Sequence, residues 1–291
     1  MKRKVLFIIN PLSGVTRKRN IPGLIEKYID RSAMETEVIF TSYAGHAVEI
    51  TKEYVAKNFD TVVAVGGDGS VNEVARCLAG TPVTLGIIPL GSGNGLARHL
   101  RIPLHTGKAI ELLNRNKRER IDACQVNKHY FFSGAGFGFV ADVVHSIKRS
   151  GFRGFKGYTL HAMKNYFFYR AQKVHLEANG RVFDGAYFVV HVSNSNQFGY
   201  EMKIAPDADL QDGVMELVIA SKKARWHVLG LAFDTFTNRF QRNNKIFYLH
   251  TPRVKVDFEG RMKVHVDGDA VWLDSPAVFR VLPLHLNVIV P

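Results

Sequence analysis

Residues 61–79 have the sequence TVVAVGGDGSVNEVARCLA, and the interpretation of the whole chain starts from them. The run from Val62 to Val65 is short, apolar and mostly β-branched, which predicts a buried strand. Three glycines in the next four positions, 66–69, disfavour any regular element because glycine loses much backbone entropy when it is ordered. Apolar residues then recur at helical spacing from Val71 to Leu78. The segment therefore predicts a strand, a glycine turn and a helix.

The glycine turn of this segment has the chemistry of a phosphate site. A helix N-terminus presents free N–H groups and a partial positive charge, and glycines let a phosphate approach the backbone closely. Asp68 adds a negative charge beside the expected phosphate, so a cation such as Mg²⁺ is needed between them. Ser70 is predicted to be the N-cap of the helix, with Glu73 completing a capping box. An isolated Asp-Gly pair is usually only a turn, but the flanking strand and helix favour a phosphate site here.

The first half of the chain alternates strands with helices. Strands are predicted at Val5–Ile9, Val38–Thr41 and Thr84–Pro89, and helices at Ile21–Ile29, Ala47–Lys57 and from Leu96 onward. This alternation predicts a parallel, three-layer α/β sheet, whose ligands bind beyond the C-terminal ends of the strands. The glycine-bearing turns at 10–14, 66–70 and 91–95 all follow strands. They are therefore expected to lie at one edge and to form one site.

These turns do not match the commonest nucleotide fingerprints. Gly91, Gly93 and Gly95 give GxGxG, but Leu96 occupies the position of the third dinucleotide-fold glycine. The sequence has no GxxxxGK[ST] P-loop and no protein-kinase catalytic loop. Simple dehydrogenases, P-loop NTPases and protein kinases are therefore disfavoured.

After about Ile121 the pattern changes to short runs of β-branched and aromatic residues. Strands are predicted at Tyr130–Phe132, Val174–Ala178, Tyr187–Ser193, Val214–Ile219, Val254–Phe258, Met262–Val266 and Val278–Leu282. Hairpin signals occur at 179–180, 212–213, 259–260 and 267–268, where Asn, Asp or Glu precedes Gly. One helical insert is predicted at Lys156–Gln172. This half is predicted to be antiparallel β, as a sandwich or a barrel.

The charge of the chain indicates an anionic partner. Its 39 Lys and Arg against 26 Asp and Glu give a net charge of +13, which suits nucleic acid, a nucleotide or an acidic membrane surface. Residues 148–173 contain seven cations interleaved with seven aromatic residues and no acid. Such a segment suits an anionic lipid surface or single-stranded nucleic acid, although a core helix with a solvated basic face is an equal alternative.

The cysteines and the hydropathy indicate the compartment. Cys77 falls in a predicted helix and Cys124 on a predicted strand, so a disulfide framework is not expected and a reducing compartment fits. The apolar run after the basic residues 1–4 is too short for a signal peptide, and no stretch approaches the length of a transmembrane helix. We expect a cytoplasmic protein that visits a membrane surface.

Two acidic motifs in the second half are candidate sites. Residues 205–213, APDADLQDG, hold three aspartates in a loop bounded by proline and glycine, a spacing that can bind a hard cation. They lack the EF-hand pattern, and alone they would more often be a solvated turn. Asp269, in VDGDA at 266–270, would be a general base if it faced the phosphate site. Taken alone, this motif is more often a hairpin with an exposed acid. The histidines show no metal-ligand spacing.

Five motifs, in order, resemble the diacylglycerol kinase catalytic-domain family, which includes bacterial lipid kinases and the sphingosine and ceramide kinases. They are NPLSG at 10–14, GGDGSVNE at 66–73, PLGSGN at 89–94, PDADLQDG at 206–213 and DGD at 267–269. The resemblance covers essentially the whole chain. It implies an ATP-binding α/β domain at 1–121, to which 284–291 returns, a β-rich lipid-substrate domain at 122–283, and a cleft between them.

The resemblance implies transfer of the γ-phosphate of ATP to a lipid hydroxyl, with diacylglycerol as the leading acceptor and phosphatidic acid as the product. A sphingoid base or another hydroxyl lipid is the alternative acceptor, because GSGN at 91–94 resembles the sphingosine-kinase form of that turn. An NAD-kinase-like enzyme shares the GGDG turn, but the second-domain motifs and the basic aromatic insert argue against it. A non-catalytic nucleotide- or nucleic-acid-binding module is disfavoured because the candidate carboxylates are present. The expected partner is a lipid at an anionic membrane surface, met through 148–173; no nucleic acid is expected, and a homodimer is allowed.

The resemblance also assigns site residues. The implied nucleotide-binding residues are Asn10, Pro11, Ser13, Gly14, Thr41, Gly66, Gly67, Asp68, Gly69, Ser70, Asn72, Glu73, Gly91, Ser92, Gly93 and Asn94. Asp68 would act on the phosphates through Mg²⁺, while Asp209, Asp212 and the Val214 carbonyl would hold a structural Mg²⁺. Asp269 occupies the position of the family's proposed general base.

Two of these positions depart from the family. Ser70 stands where the family usually has Thr, a change that keeps the hydroxyl. Asp269 stands where it usually has Glu, and the shorter carboxylate needs a closer backbone or a bridging water to reach a substrate hydroxyl. Whether Asp269 or Asp68 is the general base stays open at this stage.

Overall fold

The structure is a computed structural model that describes residues 2–11, 20–151, 154–197, 204–221 and 246–291. Ser13 and Gly14 of the first glycine turn lie outside the described residues. The chain separates into two compact units, which we call unit 1 (residues 1–122 and 284–291) and unit 2 (residues 123–283).

Unit 1 alternates strands and helices along the chain. Its elements are β1 (Arg3–Ile9), α1 (Ile21–Tyr28), β2 (Met34–Phe40), α2 (His46–Ala56), β3 (Thr61–Gly66), α3 (Asp68–Leu78), β4 (Thr84–Pro89), α4 (Gly95–His99) and α5 (Thr106–Arg115). The strands pair in the order β2, β1, β3, β4, all parallel, and the end of β15 (Ala277–Ile289) pairs in parallel with β4. The α/β class predicted for this half is confirmed.

The composition of these strands explains their place in the sheet. All six residues of β3 and all six of β4 are buried, as are the last five of β1. Continuous apolar runs of this kind are typical of parallel strands covered by helices on both faces. Helix α2 contacts α3 and helix α1 contacts α5, so the helices cover the sheet as two pairs.

Unit 2 is mostly antiparallel β. Its elements are β5 (Arg118–Val126), which begins in unit 1, β6 (His129–Phe131), β7 (Gly134–Gly138), α6 (Phe139–Ser150), α7 (Gly154–Phe168), β8 (Lys173–Ala178), β9 (Arg181–Ser193), β10 (Met215–Ser221), β11 (Ile246–Thr251), β12 (Arg253–Phe258), β13 (Arg261–Val266), β14 (Asp269–Asp274) and the start of β15.

The long strand β9 belongs to two sheets of unit 2. Its first half pairs with β8, which continues through β12 to β15. Its second half pairs with β10 and β7, which continue to β11 and to β13 and β14. Apolar side chains from both sheets, such as Val192, Leu217, Val256 and Phe279, form one buried core. The predicted β-rich class is confirmed, as a sandwich.

Two of the four predicted hairpins form. Residues 179–180 connect β8 to β9 and residues 267–268 connect β13 to β14, with positive φ at all four positions, as a two-residue type I′ turn requires. The prediction at 259–260 is wrong, because β12 and β13 are consecutive but pair with different strands. The prediction at 212–213 is also wrong, because within residues 204–214 no strand precedes β10.

The predicted helical insert corresponds to α7, and a second helix, α6, which was not predicted, precedes it. Helix α6 starts after Gly138 and ends at Gly151, which has a left-handed φ of 74° and donates its N–H to Ile147 O, a common way for a helix to end. Helix α7 spans Gly154–Phe168, shorter than the predicted Lys156–Gln172 at its C-terminal end. Helix α5 was not predicted either.

Two further findings concern the cysteines and the hydropathy of the helices. Cys77 and Cys124 are both free, as the sequence predicted. In the described part of the chain, no helix has the length and hydropathy needed to cross a bilayer.

Candidate functional site

Backbone hydrogen bonds join the C-terminal ends of the parallel strands of unit 1. The bonds run from Thr41 N to Ile9 O (2.9 Å), from Asn10 N to Val65 O (3.1 Å) and from Leu90 N to Gly66 O (2.7 Å). The segments that follow β2, β1, β3 and β4 therefore leave the sheet side by side at one edge. Among the described residues, this edge brings together Thr41, Asn10 and the turns at 66–70 and 91–95. We call this group the turn edge.

Two glycines of the turn edge are in direct backbone contact. A Cβ atom added to Gly91 would lie 2.6 Å from the Cα of Gly67, and one added to Gly67 would lie 3.1 Å from the Cα of Gly91. A real Cβ atom does not approach another atom to 2.6 Å, so Gly91 cannot carry a side chain while the turns keep their places. Glycine is needed here for close approach rather than for an unusual φ, which at Gly67 is −94°.

The carboxylate of Asp68 ties the same two turns together. Its Oδ2 accepts the N–H of Asn94 (2.8 Å) and its Oδ1 accepts the N–H of Gly95 (2.6 Å). These two N–H groups lie at the start of α4, where a helix has no acceptors of its own for them. Asp68 is therefore the first residue of α3 and also the hydrogen-bond acceptor for the first N–H groups of α4. Burial raises the pKa of Asp68, while the hydrogen bonds from Gly95 and Asn94 oppose that shift.

The predicted capping box is wrong. Gly67 adopts the extended backbone of an N-cap residue, so α3 begins at Asp68 and Ser70 lies inside its first turn. Ser70 Oγ instead accepts the side-chain N–H of Asn10 at 3.1 Å. Glu73 Oε1 accepts the backbone N–H of Gly45 at 3.2 Å. Both side chains therefore link α3 to the segments that follow β1 and β2.

The third turn is held by its own side chains. Asn94, with a left-handed φ of 54°, accepts the N–H of Gly91 at 2.9 Å and donates its side-chain N–H to Gly91 O at 2.7 Å. Arg98 donates its Nε–H to Gly93 O at 2.9 Å, and its charge lowers the pKa of Asp68 against the larger effect of burial. Arg98 was not among the predicted site residues, since one arginine in a short helix carries no distinguishing pattern in sequence.

The turn edge has the composition expected of a phosphate-binding site. It combines glycine backbone at the N-terminus of α3, a guanidinium group at Arg98 and a partly buried carboxylate at Asp68. Glycine N–H groups and a cation favour phosphate oxygens, whereas the carboxylate favours a bound metal ion beside them. The remaining predicted nucleotide residues Pro11, Asn72 and Ser92 lie on the same segments, and Asn72 is buried.

In unit 2, the acidic hairpin contains one anchored and one exposed aspartate. The carboxylate of Asp267 accepts the backbone N–H groups of Phe132 (2.9 Å), Ser133 (2.9 Å) and Gly134 (3.0 Å). Asp269, the predicted base, is the first residue of β14 and is exposed. Asp267 thus fixes the turn to the segment between β6 and β7, and the turn carries Asp269. In the sequence Asp267 has only the pattern of a turn residue, and nothing there indicates this anchoring role.

The predicted cation loop of unit 2 is built from Asx turns. Asp209 Oδ1 accepts the N–H of Gln211 and Asp212 Oδ1 accepts the N–H of Val214, both at 3.0 Å. Both aspartates are exposed. Across the described ranges, no group of three or more His, Cys, Asp or Glu side chains converges as metal ligands would. A cation at this loop would therefore be held by few carboxylates, by backbone carbonyls and by water.

Glu216, on β10 just after this loop, is a buried acid that the sequence analysis did not single out. Only 3% of the residue is exposed, and neither carboxylate oxygen has a hydrogen-bond partner in the described part of the structure. Burial raises its pKa; His250 opposes that shift, and the charges of Asp207 and Asp212 add to it.

Two histidines of unit 2 are stacked in its interior. His191 on β9 and His265 on β13 both pair with Gly136 on β7, and a Cβ atom added to nearby Gly134 would lie 2.7 Å from Nε2 of the His191 ring. The ring centroids are 5.2 Å apart, and His191 Nδ1 lies 3.3 Å from His265 Nε2. Burial lowers the pKa of both groups, that of His265 to about 3.

The chain thus combines an α/β unit that carries a phosphate-suited turn edge with a β-sandwich unit that carries an acidic hairpin. The sequence model of the diacylglycerol kinase catalytic domain matches residues 4–126, and that of the YegS C-terminal NAD kinase beta sandwich-like domain matches residues 134–290. Diacylglycerol kinase of Bacillus subtilis (strain 168) is 31% identical over 99% of this chain and 97% of that protein. Diacylglycerol kinase of Staphylococcus carnosus (strain TM300) is 28% identical over 100% and 96%.

Solved structures show the same fold. One from Bacillus anthracis (strain Sterne) superposes with a TM-score of 0.81 at 23% identity, covering 99% of this chain and 97% of that chain. A second from that strain, a diacylglycerol kinase, gives 0.76 at 20% identity with the same coverage. The chain belongs to the diacylglycerol kinase catalytic-domain family, and membership of this kinase family implies the use of ATP.

Proposed function

We propose that this protein transfers the γ-phosphate of ATP to the free hydroxyl of diacylglycerol and releases phosphatidic acid and ADP. The observation that carries the proposal is the turn edge, where Gly67 and Gly91 meet and Asp68 joins the two turns. Relatives named diacylglycerol kinase, which match the chain along nearly its whole length, support the choice of acceptor.

In this proposal the turn edge binds the phosphates of ATP. Backbone N–H groups at the start of α3 and the guanidinium group of Arg98 offer positive charge, as phosphate oxygens require. Asp68 fits Mg²⁺, because each of its oxygens accepts one backbone N–H and each carboxylate oxygen has a second lone pair. When bound, Mg²⁺ supplies charge neutralisation on the phosphates, which is the main catalytic need in phosphoryl transfer.

Asp269 is the proposed general base. It is exposed, and it lies on a turn that Asp267 holds by three backbone hydrogen bonds, so its position is fixed although it faces solvent. The base accepts the proton of the lipid hydroxyl as that oxygen bonds to the γ-phosphorus and the bond to the β-phosphate oxygen breaks. We assign Asp68 to the cation rather than to this task, because its carboxylate is held beside the phosphate-binding turns by the N–H groups of Asn94 and Gly95.

The acceptor lipid resides in a membrane, and we propose that α7 binds the membrane surface. One face of α7 packs against Phe139 and Phe188 through Tyr158, Ala162 and Tyr166. The opposite face is apolar yet exposed. Its large side chains, with their exposed fractions, are Leu160 (58%), Met163 (65%), Phe167 (74%) and Phe168 (80%).

The charges around this face select an anionic surface. From residue 143 to residue 176 the sequence has no acidic residue. The exposed cations nearby are Lys148, Arg149, Lys164, Arg170 and Lys173. Each cation near an anionic bilayer contributes on the order of 1 kcal/mol, and the apolar side chains add their burial in the headgroup region. The protein would thus act as a cytoplasmic enzyme that binds the membrane peripherally.

Membrane binding is tested by co-sedimentation with vesicles. We expect binding to vesicles containing phosphatidylglycerol, weaker binding to pure phosphatidylcholine, and a steep loss of binding with salt. The double variant Phe167→Ser/Phe168→Ser should lose most of it. Leu104→Ser, which removes an exposed apolar side chain of unit 1, is the matched control and should bind like the natural protein. Equal binding by both variants would rule out α7 as the membrane-binding element.

The catalytic proposal is tested by transfer of labelled γ-phosphate from Mg·ATP to lipids in mixed micelles. The panel contains diacylglycerol, sphingosine, ceramide, phosphatidylglycerol and monoacylglycerol, with NAD as a soluble acceptor. We expect diacylglycerol to be labelled fastest, with the label lost in Asp269→Ala. Labelling of sphingosine instead would change the acceptor and keep the reaction class, whereas labelling of NAD alone would refute the lipid-kinase proposal.

A further inference from the structure

Asp267 holds the turn of the hairpin that carries Asp269, but it does not hold the strand that follows. Its carboxylate fixes the turn through the N–H groups of residues 132–134. In the described part of the chain, β14 pairs with β13 and with no other strand. The strand at the edge of a sheet presents backbone N–H and C=O groups that no neighbouring strand satisfies. The residues directly after Asp269 therefore need support from something other than a strand.

Helix α6 lies against this hairpin and contacts it through a row of polar side chains. Asp142, His145 and Lys148 are spaced three residues apart, which places them near one another on the surface of a helix. Asp142 forms an ion pair with Lys263 of β13, the strand that precedes the turn. The first turn of α6 is thus fixed to β13, and the other two side chains of the row reach β14.

His145 bonds to both strands of the hairpin. Its Nε2 lies 3.0 Å from Val271 O on β14 and 3.2 Å from Val264 O on β13, two residues that pair with each other. A carbonyl oxygen can only accept, so Nε2 carries the proton and shares it between the two carbonyls. Burial lowers the pKa of His145 against the effect of these hydrogen bonds, which favours the neutral ring. The ring also meets Trp272, the next residue of β14, edge to face with 5.3 Å between the centroids.

Lys148 bonds to the residue beside the proposed base. Its Nζ donates to Ala270 O at 3.1 Å, and Ala270 follows Asp269 directly in the chain. A hydrogen bond from an ammonium group is roughly twice as strong as one between neutral groups. Because consecutive Cα atoms are about 3.8 Å apart, any shift of the Ala270 backbone moves Asp269 with it.

We propose that His145 and Lys148 are positioning residues for Asp269, and that α6 holds the start of β14 where this carboxylate can take the proton of the acceptor hydroxyl. The inference rests on the proposed function, which assigns the role of base to Asp269. An aspartate has only two rotatable side-chain bonds, so the place of its carboxylate follows the backbone closely. Asp267 holds that backbone before Asp269 and α6 holds it after Asp269. Fixing both sides limits the positions of the base to those that suit proton transfer.

The test measures kcat and KM for labelled phosphate transfer to diacylglycerol in uncharged detergent micelles, where membrane charge plays no part. Lys148→Met keeps most of the length of the side chain and removes the ammonium group, so kcat should fall about 10-fold while KM for ATP stays unchanged. His145→Phe keeps a ring against Trp272 and removes the donor, and should lower kcat by a similar factor. Lys128→Met, which changes an exposed lysine elsewhere in unit 2, should keep the natural kcat.

Conservative variants and hydrogen–deuterium exchange separate positioning from a general loss of stability. Lys148→Arg and His145→Gln each keep an N–H donor and should recover kcat to within about threefold of the natural value. In Lys148→Met and His145→Phe, the amides of residues 269–274 should exchange about 10-fold faster than in the natural protein. Those of residues 173–178, in β8, should exchange as before, because the loosening is local to β14.

Lys148 also belongs to the cations proposed to meet the membrane, so vesicle binding is measured separately. Arg149→Met removes the next exposed cation of the same set. It should weaken binding to phosphatidylglycerol vesicles as much as Lys148→Met does, but it should not speed exchange in β14. Faster exchange of β14 in Arg149→Met would assign the effect to lost charge rather than to the contact with Ala270, and would overturn the role of Lys148.

The outcomes separate this inference from the kinase proposal. If Asp269→Ala loses activity while Lys148→Met and His145→Phe keep the natural kcat, the positioning role is overturned and the kinase proposal stands. A kcat that falls only in proportion to Tm would also overturn it, since α6 would then merely stabilise the fold. If the natural protein labels no lipid, the kinase proposal fails. Faster exchange of β14 in the two variants would then still support the hold of α6 on this strand, and unchanged exchange would refute it.

Discussion

Asp68 in unit 1 and Asp267 in unit 2 are both aspartates next to glycine in a turn after a strand, and both accept backbone N–H groups from another segment. Asp68 accepts two, from Asn94 and Gly95, and Asp267 accepts three, from residues 132–134. The turns differ in how they divide their tasks. In unit 1 the carboxylate of Asp68 both holds the turn and is the candidate catalytic group. In unit 2 Asp267 holds the turn and its exposed neighbour Asp269 is the candidate.

This difference decides how substitutions should be interpreted. Any change at Asp68 removes a structural tie and a candidate catalytic group together, so loss of activity alone does not reveal its role. In unit 2 the two tasks lie on separate residues and can be removed one at a time. The four experiments below use that contrast.

The largest effect is expected for Asp68→Ala. We expect kinase activity to fall on the order of 100-fold or more, because a charged group beside the transferring phosphate is lost. Stability should also fall by about 2 kcal/mol, because two backbone N–H groups at the start of α4 lose their acceptor. Lipid phosphorylation and urea unfolding measure the two effects.

Asp68→Asn separates the two roles. The amide keeps one oxygen that can accept one of the two N–H groups, so about half of the lost stability should return. Activity should stay as low as in Asp68→Ala if the charge acts on the phosphates. Activity that recovers in proportion to stability would show that Asp68 only positions the turns.

In unit 2 the second prediction separates the anchor from the base. Asp267→Ala leaves three backbone N–H groups without their acceptor and should lower the free energy of unfolding by about 3 kcal/mol. Asp269→Ala, at an exposed position, should change it by about 0.5 kcal/mol or less while activity falls. Equal losses of stability in the two variants would contradict the division of tasks within this hairpin.

The third prediction tests the contact of Gly67 with Gly91. Gly91→Ala places a Cβ 2.6 Å from the Gly67 Cα, so the turns must separate, at a cost of about 2 kcal/mol and with weaker ATP binding. Gly69→Ala is the control for stability, since a Cβ there meets no protein atom within 4 Å and alanine favours a helix. Thermal unfolding compares the two variants, and ATP titration compares Gly91→Ala with the natural protein. An unchanged Gly91→Ala would show that the contact is not needed.

The sequence allowed the turn edge to be predicted because its parts are local patterns. A β-branched run, a glycine cluster and a periodic apolar helix each follow from a few neighbouring residues, and strand order then places the turns together. The contacts within the edge could not be predicted this way. Asp68 bonds to residues 26 and 27 positions away, and Ser70 meets Asn10 across 60 positions.

The failures have the same origin. The capping box at Ser70 and Glu73 was a local pattern, but Gly67 took the N-cap position and Glu73 bonded to Gly45, 28 residues away. The hairpin at 259–260 had the correct turn chemistry, yet its strands pair with partners distant in sequence. Glu216 could not be singled out at all, because burial of a polar residue on a strand depends on what covers that face of the sheet.

The fourth prediction concerns pH, to which the two turns should respond with opposite signs. His265, two residues before Asp267, is buried with a pKa lowered to about 3, and His191 is lowered well below its usual range. The charged group facing His265 is His145 of α6. Below about pH 6.5 these two histidines bind protons in the unfolded chain but stay neutral in the folded protein, so acid favours unfolding. Unit 2 should therefore lose about 1 kcal/mol per pH unit for each histidine as pH falls from 6 toward 4.

Asp68 has the opposite linkage, because its pKa is raised in the folded protein. Its contribution is fully present below the unfolded pKa of an aspartate and is lost as pH rises through the folded value, so acid does not weaken the turn edge through this group. Hydrogen–deuterium exchange, corrected for its intrinsic pH dependence, should show unit 2 opening before unit 1 as pH falls. His265→Gln should flatten that response, whereas His175→Gln removes a raised pKa and should steepen it. Equal opening of both units in acid would mean that the buried histidine pair does not control the stability of the hairpin that Asp267 anchors.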